Sequence, residues 1–433
     1  MADRSIESTR EMGGAVDTLG FAVIAGGVVL FSLISRRLQA TVITAPMVFA
    51  AFGLVIGHAG LGLADLDVGH GFIHGLAELT LVLVLFSDAA RIDLRQVRRD
   101  HNLPVRLLLL GMPLTIAAGA AAALLLPLGL TFWEAALLAA ILAPTDAALG
   151  QAVVSNPRVP VRIRQALNIE SGLNDGIALP LVLLFASLAS EFHGASGDQN
   201  WLVFGAKQIL LGPLAGILVG GLGAWLIDRA VSRGWMSESF EGPAILGVAL
   251  LAFAGAELIG GNGFISAFTA GIVFGNQVRG RCGFLFEFAE AEGQLLTLLT
   301  FLIFGAAILP EAAHGLHWSV FVYAGLSLTL VRMLPVAVSM AGTGIKSPTV
   351  AYLGWFGPRG LASILFALLI LEETDTGGQE TILVVTIVTV TASILLHGVT
   401  AAPGARWYGS LADTMGTCEE AKTVSEMPTR GGS

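Results

Sequence analysis

From about residue 18 to about residue 402 the chain is a succession of apolar stretches joined by loops too short to fold alone. A helix needs about 20 largely apolar residues to cross about 30 Å of hydrocarbon. Thirteen stretches meet that requirement, at approximately 18–35, 41–57, 75–90, 104–126, 133–154, 163–190, 203–228, 243–260, 262–277, 292–309, 318–342, 350–372 and 379–402. Inside a bilayer every backbone N–H and C=O must find its partner within the protein, so these stretches are confined to helices. Of the 433 residues 55% are hydrophobic and 13% charged, against about 25% charged in soluble domains, and the mean hydropathy is +0.78. The fold class is therefore an all-α polytopic membrane protein of about 13 transmembrane helices, forming one membrane domain over 18–402. The net charge of −9 comes largely from loops and tails and gives no argument for a nucleic-acid partner.

Cytoplasmic loops of membrane proteins hold an excess of Lys and Arg. With thirteen spans and the N-terminus outside, the inward loops carry Arg36 and Arg37, then Arg91, Arg95, Arg98 and Arg99, then Arg158 and Arg162, and later Arg229, Arg233, Arg279, Arg281 and Lys346. The outward loops instead carry Asp65, Asp67, Glu191, Asp198, Glu311 and the Glu372-Glu373-Thr374-Asp375 cluster. Miscounting by one span would scramble this alternation, which predicts a cytoplasmic C-terminus. The weakest division lies at Gly260-Gly261-Asn262-Gly263, where hardly any loop separates two spans. Residues 1–17 read as a short outside tail without the basic and short apolar regions of a cleaved signal. Residues 405–433 read as a disordered cytoplasmic tail. Cys282 and Cys418 are too few and too far apart for a disulfide framework or a thiolate metal site.

Setting the first six spans against the last six, with 203–228 as linker, offsets the halves by seven helices, and an odd offset inverts the topology. Inverted repeats in secondary transporters place substrate between interrupted helices at corresponding positions. The fifth span contains Ala143-Pro144-Thr145-Asp146 and the twelfth Gly357-Pro358-Arg359-Gly360. Each proline removes a backbone donor and obstructs the carbonyl one turn earlier, and each break has a charge beside it. Two inverted six-helix repeats with crossed discontinuous helices are predicted, with an acid on one break and a base on the other.

Ionisable groups at mid-membrane are costly and point to function. Five meet that description: Asp146, Glu170, Asp175, Arg332 and Arg359. The sixth span reads Asn168-Ile169-Glu170-Ser171-Gly172-Leu173-Asn174-Asp175-Gly176. At about 100° per residue, Ser171 and Asp175 lie about 40° apart, as do Glu170 and Asn174. Ser171 with Asp175 forms an oxygen-rich face suited to a hard cation, and Glu170 with Asn174 points to a neighbouring sector. A dehydrated alkali ion wants oxygen ligands and compensating charge, which Asp146, Asp175, the Ser171 hydroxyl and freed carbonyls near Thr145 supply. Protons competing for the same oxygens provide a chemical basis for exchange. Glu170 needs a cationic partner. Arg332, within Leu330-Val331-Arg332-Met333-Leu334-Pro335, is the favoured one, with Arg359 open as the alternative; otherwise Arg359 offsets the dipole ends of the broken helices. Asp88, Glu78, Glu134 and Glu257 read as solvated helix ends or funnel charges, and His58 and His397 as histidines near a membrane face. Gly261-Asn262-Gly263 lacks the strand and helix context of a nucleotide loop, and no cofactor is expected.

Pro144-Thr145-Asp146 followed by Glu170-Ser171-Gly172-Leu173-Asn174-Asp175 resembles the paired signature of NhaP-type sodium/proton antiporters, relatives of the animal NHE exchangers. Arg332, Gly357-Pro358-Arg359-Gly360 and Gly263-Phe264-Ile265-Ser266-Ala267-Phe268 extend the resemblance over nearly the whole membrane region. It implies an NhaA/NhaP-like antiporter fold and a homodimer, with a dimerisation part at about 18–100 and 243–309 and a core at about 104–190 and 318–402 that moves like an elevator. Asp175 would carry cation or proton with help from Asp146 and Ser171, Glu170 would pair with Arg332, and Asn174-Asp175 would accompany electroneutral one-for-one exchange. Sodium is the first expected cation, with lithium or potassium also served by these ligands, and a bacterial inner membrane suits the composition. The chain departs from the animal members in carrying only about thirty residues after the last span. A cation channel would use similar oxygens but has less need of two broken helices around a titratable acid. An intramembrane aspartyl hydrolase would pair Asp146 with Asp175, but neither lies in a Gly-x-Gly-Asp element, so a transporter rather than an enzyme is expected.

Overall fold

A computed structural model describes residues 2–39, 41–63, 70–99, 102–146, 149–192, 201–278, 284–373, 376–415, 418–422 and 424. All regular structure among them is helical. The helices are α1 (Ala2–Gln39), α2 (Ala45–Ile56), α3 (His70–Arg91), α4 (Leu94–Arg99), α5 (Asn102–Arg106), α6 (Met112–Leu125), α7 (Phe132–Ile141), α8 (Gln151–Val154), α9 (Val161–Phe192) and α10 (Trp201–Ser232). They continue with α11 (Glu238–Leu258), α12 (Gly263–Val278), α13 (Phe284–Ile303), α14 (Leu309–Glu311), α15 (Trp318–Leu328), α16 (Leu330–Ser339), α17 (Ser347–Trp355), α18 (Leu361–Glu373) and α19 (Gln379–Thr414). Single π-helical turns at Leu107–Gly111 and Phe304–Ile308 join α5 to α6 and α13 to α14. Among the described residues, eight helical runs are long and apolar enough to cross a membrane, taking α5 through α6, α13 through α14 and α15 through α16 as one run each; α2, α7 and α12 are shorter apolar helices. The outward-loop residues Asp65, Asp67, Asp198, Thr374 and Asp375, the basic Arg279 and Arg281, and Cys282 lie outside the described residues.

Apolar side chains have no reason to seek each other when lipid is the alternative, so close backbone approach takes over, and small residues allow it. Helix α12 is held this way on two sides. Side chains at Gly212, Gly216 and Gly220 of α10 would run into the backbone of α12 at Asn262, Ser266 and Ala270, and side chains at Gly271 and Gly275 would run into the carbonyls of Phe86 and Ala90 on α3. Gly53 and Gly57 of α2 meet the Leu302 and Ala306 carbonyls in the same manner. The turn between α11 and α12 is possible because Gly260 adopts a φ of 75°, a conformation glycine enters without steric cost. Asn262 then caps α12 by accepting the Ile265 N–H at 3.0 Å, and Glu257 Oε1 accepts the Gly263 N–H at 2.7 Å. Glu257 is thus a capping group in this turn.

Four segments differ from the sequence expectation. Helix α1 starts at Ala2, where an outside tail to residue 17 was expected. The 318–342 stretch is not continuous: it breaks at Thr329, whose backbone leaves the helical region at φ −116°, ψ −98°. The Thr329 hydroxyl bonds the Gly325 carbonyl at 2.6 Å, a local bond that competes with the helix ladder, and Pro335 weakens the next turns. Glu134 is buried, not solvated: it closes a capping box with Thr131 and accepts the Gly378 N–H at 2.6 Å, tying the start of α7 to the start of α19. The tail expected to be disordered from 405 continues as helix to Thr414, and residues 418–422 fold back over the bundle end.

That return is held by polar groups. Glu420 is buried and its Oε1 accepts the Lys346 N–H at 2.7 Å and the Thr349 hydroxyl at 2.8 Å, while Glu419 Oε2 pairs with Arg162 at 2.9 Å. Lys346 Nζ donates to the Met415 carbonyl at 3.0 Å. The strap therefore bridges the starts of α9 and α17. Burial pushes the Glu420 carboxyl up, but the hydrogen bonds from Lys346 and Thr349 outweigh it and hold the group below its ordinary value. A carboxyl lowered by folding contributes stability above its unfolded value of about 4.3, and the contribution disappears as pH falls through the lower folded value.

Two tests follow from these contacts. The protection of amides at residues 418–422, taken against their intrinsic exchange rate at each pH, is expected to be high near neutral pH and to fall once the Glu420 carboxyl is protonated below the ordinary carboxylate range, and Glu420→Gln should lower it at neutral pH; protection that does not change with pH would contradict the strap. Gly275→Leu, which drives a side chain into the Ala90 carbonyl, should lower stability by about 3 kcal/mol or prevent folding, seen as a reduced thermal midpoint in detergent, whereas Gly247→Leu, with open space around it, should not.

Candidate functional site at the crossed helix breaks

Helix α7 ends at Ile141, and residues 144–146 carry no regular structure before α8; likewise α17 ends at Trp355, and 356–360 carry none before α18. Pro144 and Pro358 stand in these gaps, as the sequence predicts. The two gaps touch, and each satisfies the other's backbone. Asp146 N–H donates to the Pro358 carbonyl at 2.8 Å. Leu361 N–H, at the start of α18, donates to Asp146 Oδ2 at 3.0 Å. Arg359 Nη1 donates to the carbonyls of Ala143 at 2.5 Å and Pro144 at 3.3 Å, and the Ser363 hydroxyl to that of Ile141 at 2.8 Å. The acid therefore sits where α18 presents its positive dipole end, and the base sits where α7 presents its negative one. A side chain on Gly360 would collide with the Asp146 carboxylate, so glycine is required for this approach.

Helix α9 brings the second acid. A side chain on Gly176 would occupy the Phe268 ring, and one on Gly172 would press on Ile92, so these glycines let α9 lie close to α12 and to the end of α3. On the facing side, Ser171 Oγ is 3.1 Å from Thr145 Oγ1. Asn174 Nδ2 donates to Thr145 Oγ1 at 2.7 Å and to the Thr145 carbonyl at 3.3 Å. The sequence assigned Ser171 and Asn174 to separate sectors. In the structure both reach Thr145, because they are about 60° apart on the helix and the crossing peptide lies between them. Thr145, Asp146, Ser171 and Asp175 line one cleft, walled by Leu361, Ala362 and Leu365 of α18 and by Leu81 and Val84 of α3.

Asp88 of α3 lines the same cleft. The sequence ranked it among helix-end charges, because no local pattern connects α3 to the breaks; only packing does. The question of Glu170's partner also closes here: Arg332 Nη2 lies 2.6 Å from Glu170 Oε1, and both side chains are 2% exposed. The Arg332 guanidinium also covers Gly357, where a side chain would strike its Nε and Cζ. The pair thus ties α9, α16 and the second break together. Glu78 is not among the residues lining the cleft, and His58 is exposed after α2.

A family description, "Sodium/hydrogen exchanger, transmembrane", matches residues 23–407. The chain is 25% identical over 383 residues to the "K(+)/H(+) antiporter NhaP" of Alkalimonas amylolytica, covering 88% of this chain and 64% of that protein. It is 26% identical over 367 residues to the "K(+)/H(+) antiporter NhaP2" of Shewanella sp. (strain ANA-3), covering 83% and 61% respectively. The chain thus spans under two thirds of the length of these relatives. It is also 27% identical over 412 residues to "Na(+)/H(+) antiporter 2" of Zygosaccharomyces rouxii, covering 85% and 50%. Its fold is similar to that of the sodium proton antiporter MjNhaP1 from Methanocaldococcus jannaschii, with a TM-score of 0.72 and 20% identity over 94% of this chain and 99% of that one.

Removing one partner of a buried ion pair strands the other charge at about 3–5 kcal/mol. Glu170→Gln and Arg332→Met are each expected to lower the thermal midpoint strongly, and the double variant to recover much of the loss. Additive losses in the double variant would show that the two residues do not act as a pair.

Proposed function

The chain belongs to the sodium/hydrogen exchanger family, and on that premise we propose that it is a secondary active antiporter exchanging a monovalent alkali cation for a proton across a membrane. The observation that carries this reading is the one cleft shared by Asp146, Asp175, Thr145 and Ser171 at the crossing of two broken helices. A dehydrated alkali ion needs several oxygens and a negative charge to replace its water. The carboxylates of Asp146 and Asp175 and the two hydroxyls offer both, with Asp88 lining the same cleft. Away from water, a pair of ionised carboxylates with nothing between them is costly, so the site is neutralised by cation or by proton, and each displaces the other. Asp175 is the residue that exchanges one for the other, with Asp146, Ser171 and Thr145 completing the cation shell.

An elevator movement is consistent with how the site is assembled. Its ligands stand on α9 and in the break after α7, with an apolar wall from α18, while another wall comes from α3, which packs against α12 through glycine contacts. Helices at about 104–190 and 318–402 would move as the core, past a dimerisation part at about 18–100 and 243–309 in a homodimer, with 203–228 as linker. Exchange is one cation for one proton, as the resemblance implies for an Asn-Asp pair at Asn174-Asp175. The N-terminus is outside and the C-terminus cytoplasmic, in a bacterial inner membrane. Sodium is the expected ion; the relatives' names include both sodium and potassium, and lithium would fit the same oxygens.

Sealed proteoliposomes carrying a pH-sensitive dye test this directly. Adding sodium, potassium or lithium should move protons in the wild type, rank the three ions, and continue with the membrane potential clamped at zero. Asp175→Asn and Asp175→Ala should abolish the movement. A folded wild type that moves protons with none of the three ions across a scanned pH range would overturn the antiport reading.

A further inference from the structure

His397 is almost completely buried, at 1% exposure, on α19 behind the second break. Its Nε2 lies 2.9 Å from the Trp355 carbonyl, the last of α17, and its Nδ1 lies 3.1 Å from the Ser393 hydroxyl. Ser393 Oγ in turn accepts the Arg359 N–H at 2.7 Å. Nδ1 also lies 3.1 Å from the Ser393 carbonyl, but the Ser393 hydroxyl beside it can donate whereas Trp355 C=O can only accept, so Nε2 carries the proton. A neutral imidazole then leaves Nδ1 bare, and it accepts from the Ser393 hydroxyl, whose lone pairs remain for Arg359. Neutrality suits an interior that already holds the Arg332 and Arg359 guanidiniums. Three hydrogen bonds thus run in one direction, from Arg359 N–H to Ser393 to His397 to Trp355 C=O.

We propose that Ser393 and His397 form a positioning pair that holds both ends of the 355–359 break and so sets where the Asp146 carboxylate points. The route is short. Trp355 C=O, which also accepts the Gly357 N–H at 2.9 Å, and Arg359 N–H stand at the two ends of the break, and α19 supplies a partner for each. Between them lies Pro358, whose carbonyl accepts the Asp146 N–H, and just beyond lies Leu361, whose N–H donates to Asp146 Oδ2 at 3.0 Å. If the break shifts, both contacts on Asp146 shift with it. Neither His397 nor Ser393 is among the residues lining the cleft, so they act on the cation through Asp146. This inference rests on the antiport reading for its meaning, but not for its measurement.

The test compares wild type, Ser393→Ala, His397→Ala, His397→Gln and the Ser393→Ala/His397→Ala double variant in the same proteoliposomes, titrating sodium. Losing one buried hydrogen bond at the break is expected to raise the apparent KM for the cation about five- to tenfold, with the maximal rate within about twofold. His397→Gln, whose amide can still donate to Trp355, should recover part of the affinity, and the double variant should be no worse than the poorer single one. An unchanged KM, a fall in maximal rate alone, or additive effects would overturn the proposal. If His397→Ala does not fold, Ser393→Ala, which removes one oxygen, carries the same comparison. The sodium dependence of the thermal midpoint provides a readout without transport. If the wild type moves no protons yet is stabilised by sodium, the antiport reading falls, and positioning stands only if Ser393→Ala weakens that stabilisation. No stabilisation and no transport in the wild type would overturn both.

Discussion

A helix interrupted inside a bilayer leaves carbonyls and amides that water cannot reach, each costing several kcal/mol if left unpaired. The architecture around Asp146 and Arg359 depends on how this debt is met. The two interruptions cross, and Asp146 N–H, the Pro358 carbonyl, Leu361 N–H and the Ala143 carbonyl find partners across the crossing. Charge placement follows from the same geometry: an acid at the start of α18 and a guanidinium at the end of α7 oppose the local dipoles. The crossing therefore creates an oxygen-rich cleft at mid-bundle as a by-product of satisfying its own backbone.

Around this centre the other polar contacts serve as struts. Glu170 and Arg332 join α9 to α16 and press on the second break at Gly357. Glu134 joins α7 to the start of α19, and Ser393 with His397 joins the middle of α19 to the second break. Each strut links one broken helix to a continuous or neighbouring one. The glycine contacts among α3, α10 and α12 do something different, bringing backbones together without polar side chains. The helices around the breaks are thus cross-braced by hydrogen bonds, and α3, α10 and α12 are packed by backbone approach.

Much of this was legible in the chain because it is written in local terms. Hydropathy marks the membrane stretches, Pro144 and Pro358 mark the interruptions, and Asp146, Glu170, Asp175, Arg332 and Arg359 stand out because charge in hydrocarbon is costly. What was misjudged depended on neighbours. Glu134 at a helix start looks solvated until Gly378 arrives to use its carboxylate. The residues after 405 look disordered by composition, yet Glu420 finds Lys346 and Thr349 across the bundle end. The break at Thr329 carries no proline of its own and was read as continuous helix.

The sequence by itself determined that this chain is a helical membrane protein, where two of its helices break, and which ionisable residues lie too deep to be incidental. Those properties follow from the transfer cost of each residue and the covalent limits of proline, and need no partner to be evaluated. Only the tertiary structure decided that Arg332 rather than Arg359 meets Glu170, that Asn174 turns to Thr145, that Asp88 reaches the cleft, and that His397 braces the second break. Each of those is a contact between separate helices or helix breaks. A pairing is set by which backbones can approach, through Gly172, Gly176, Gly357 and Gly360, and that is a property of the packed bundle.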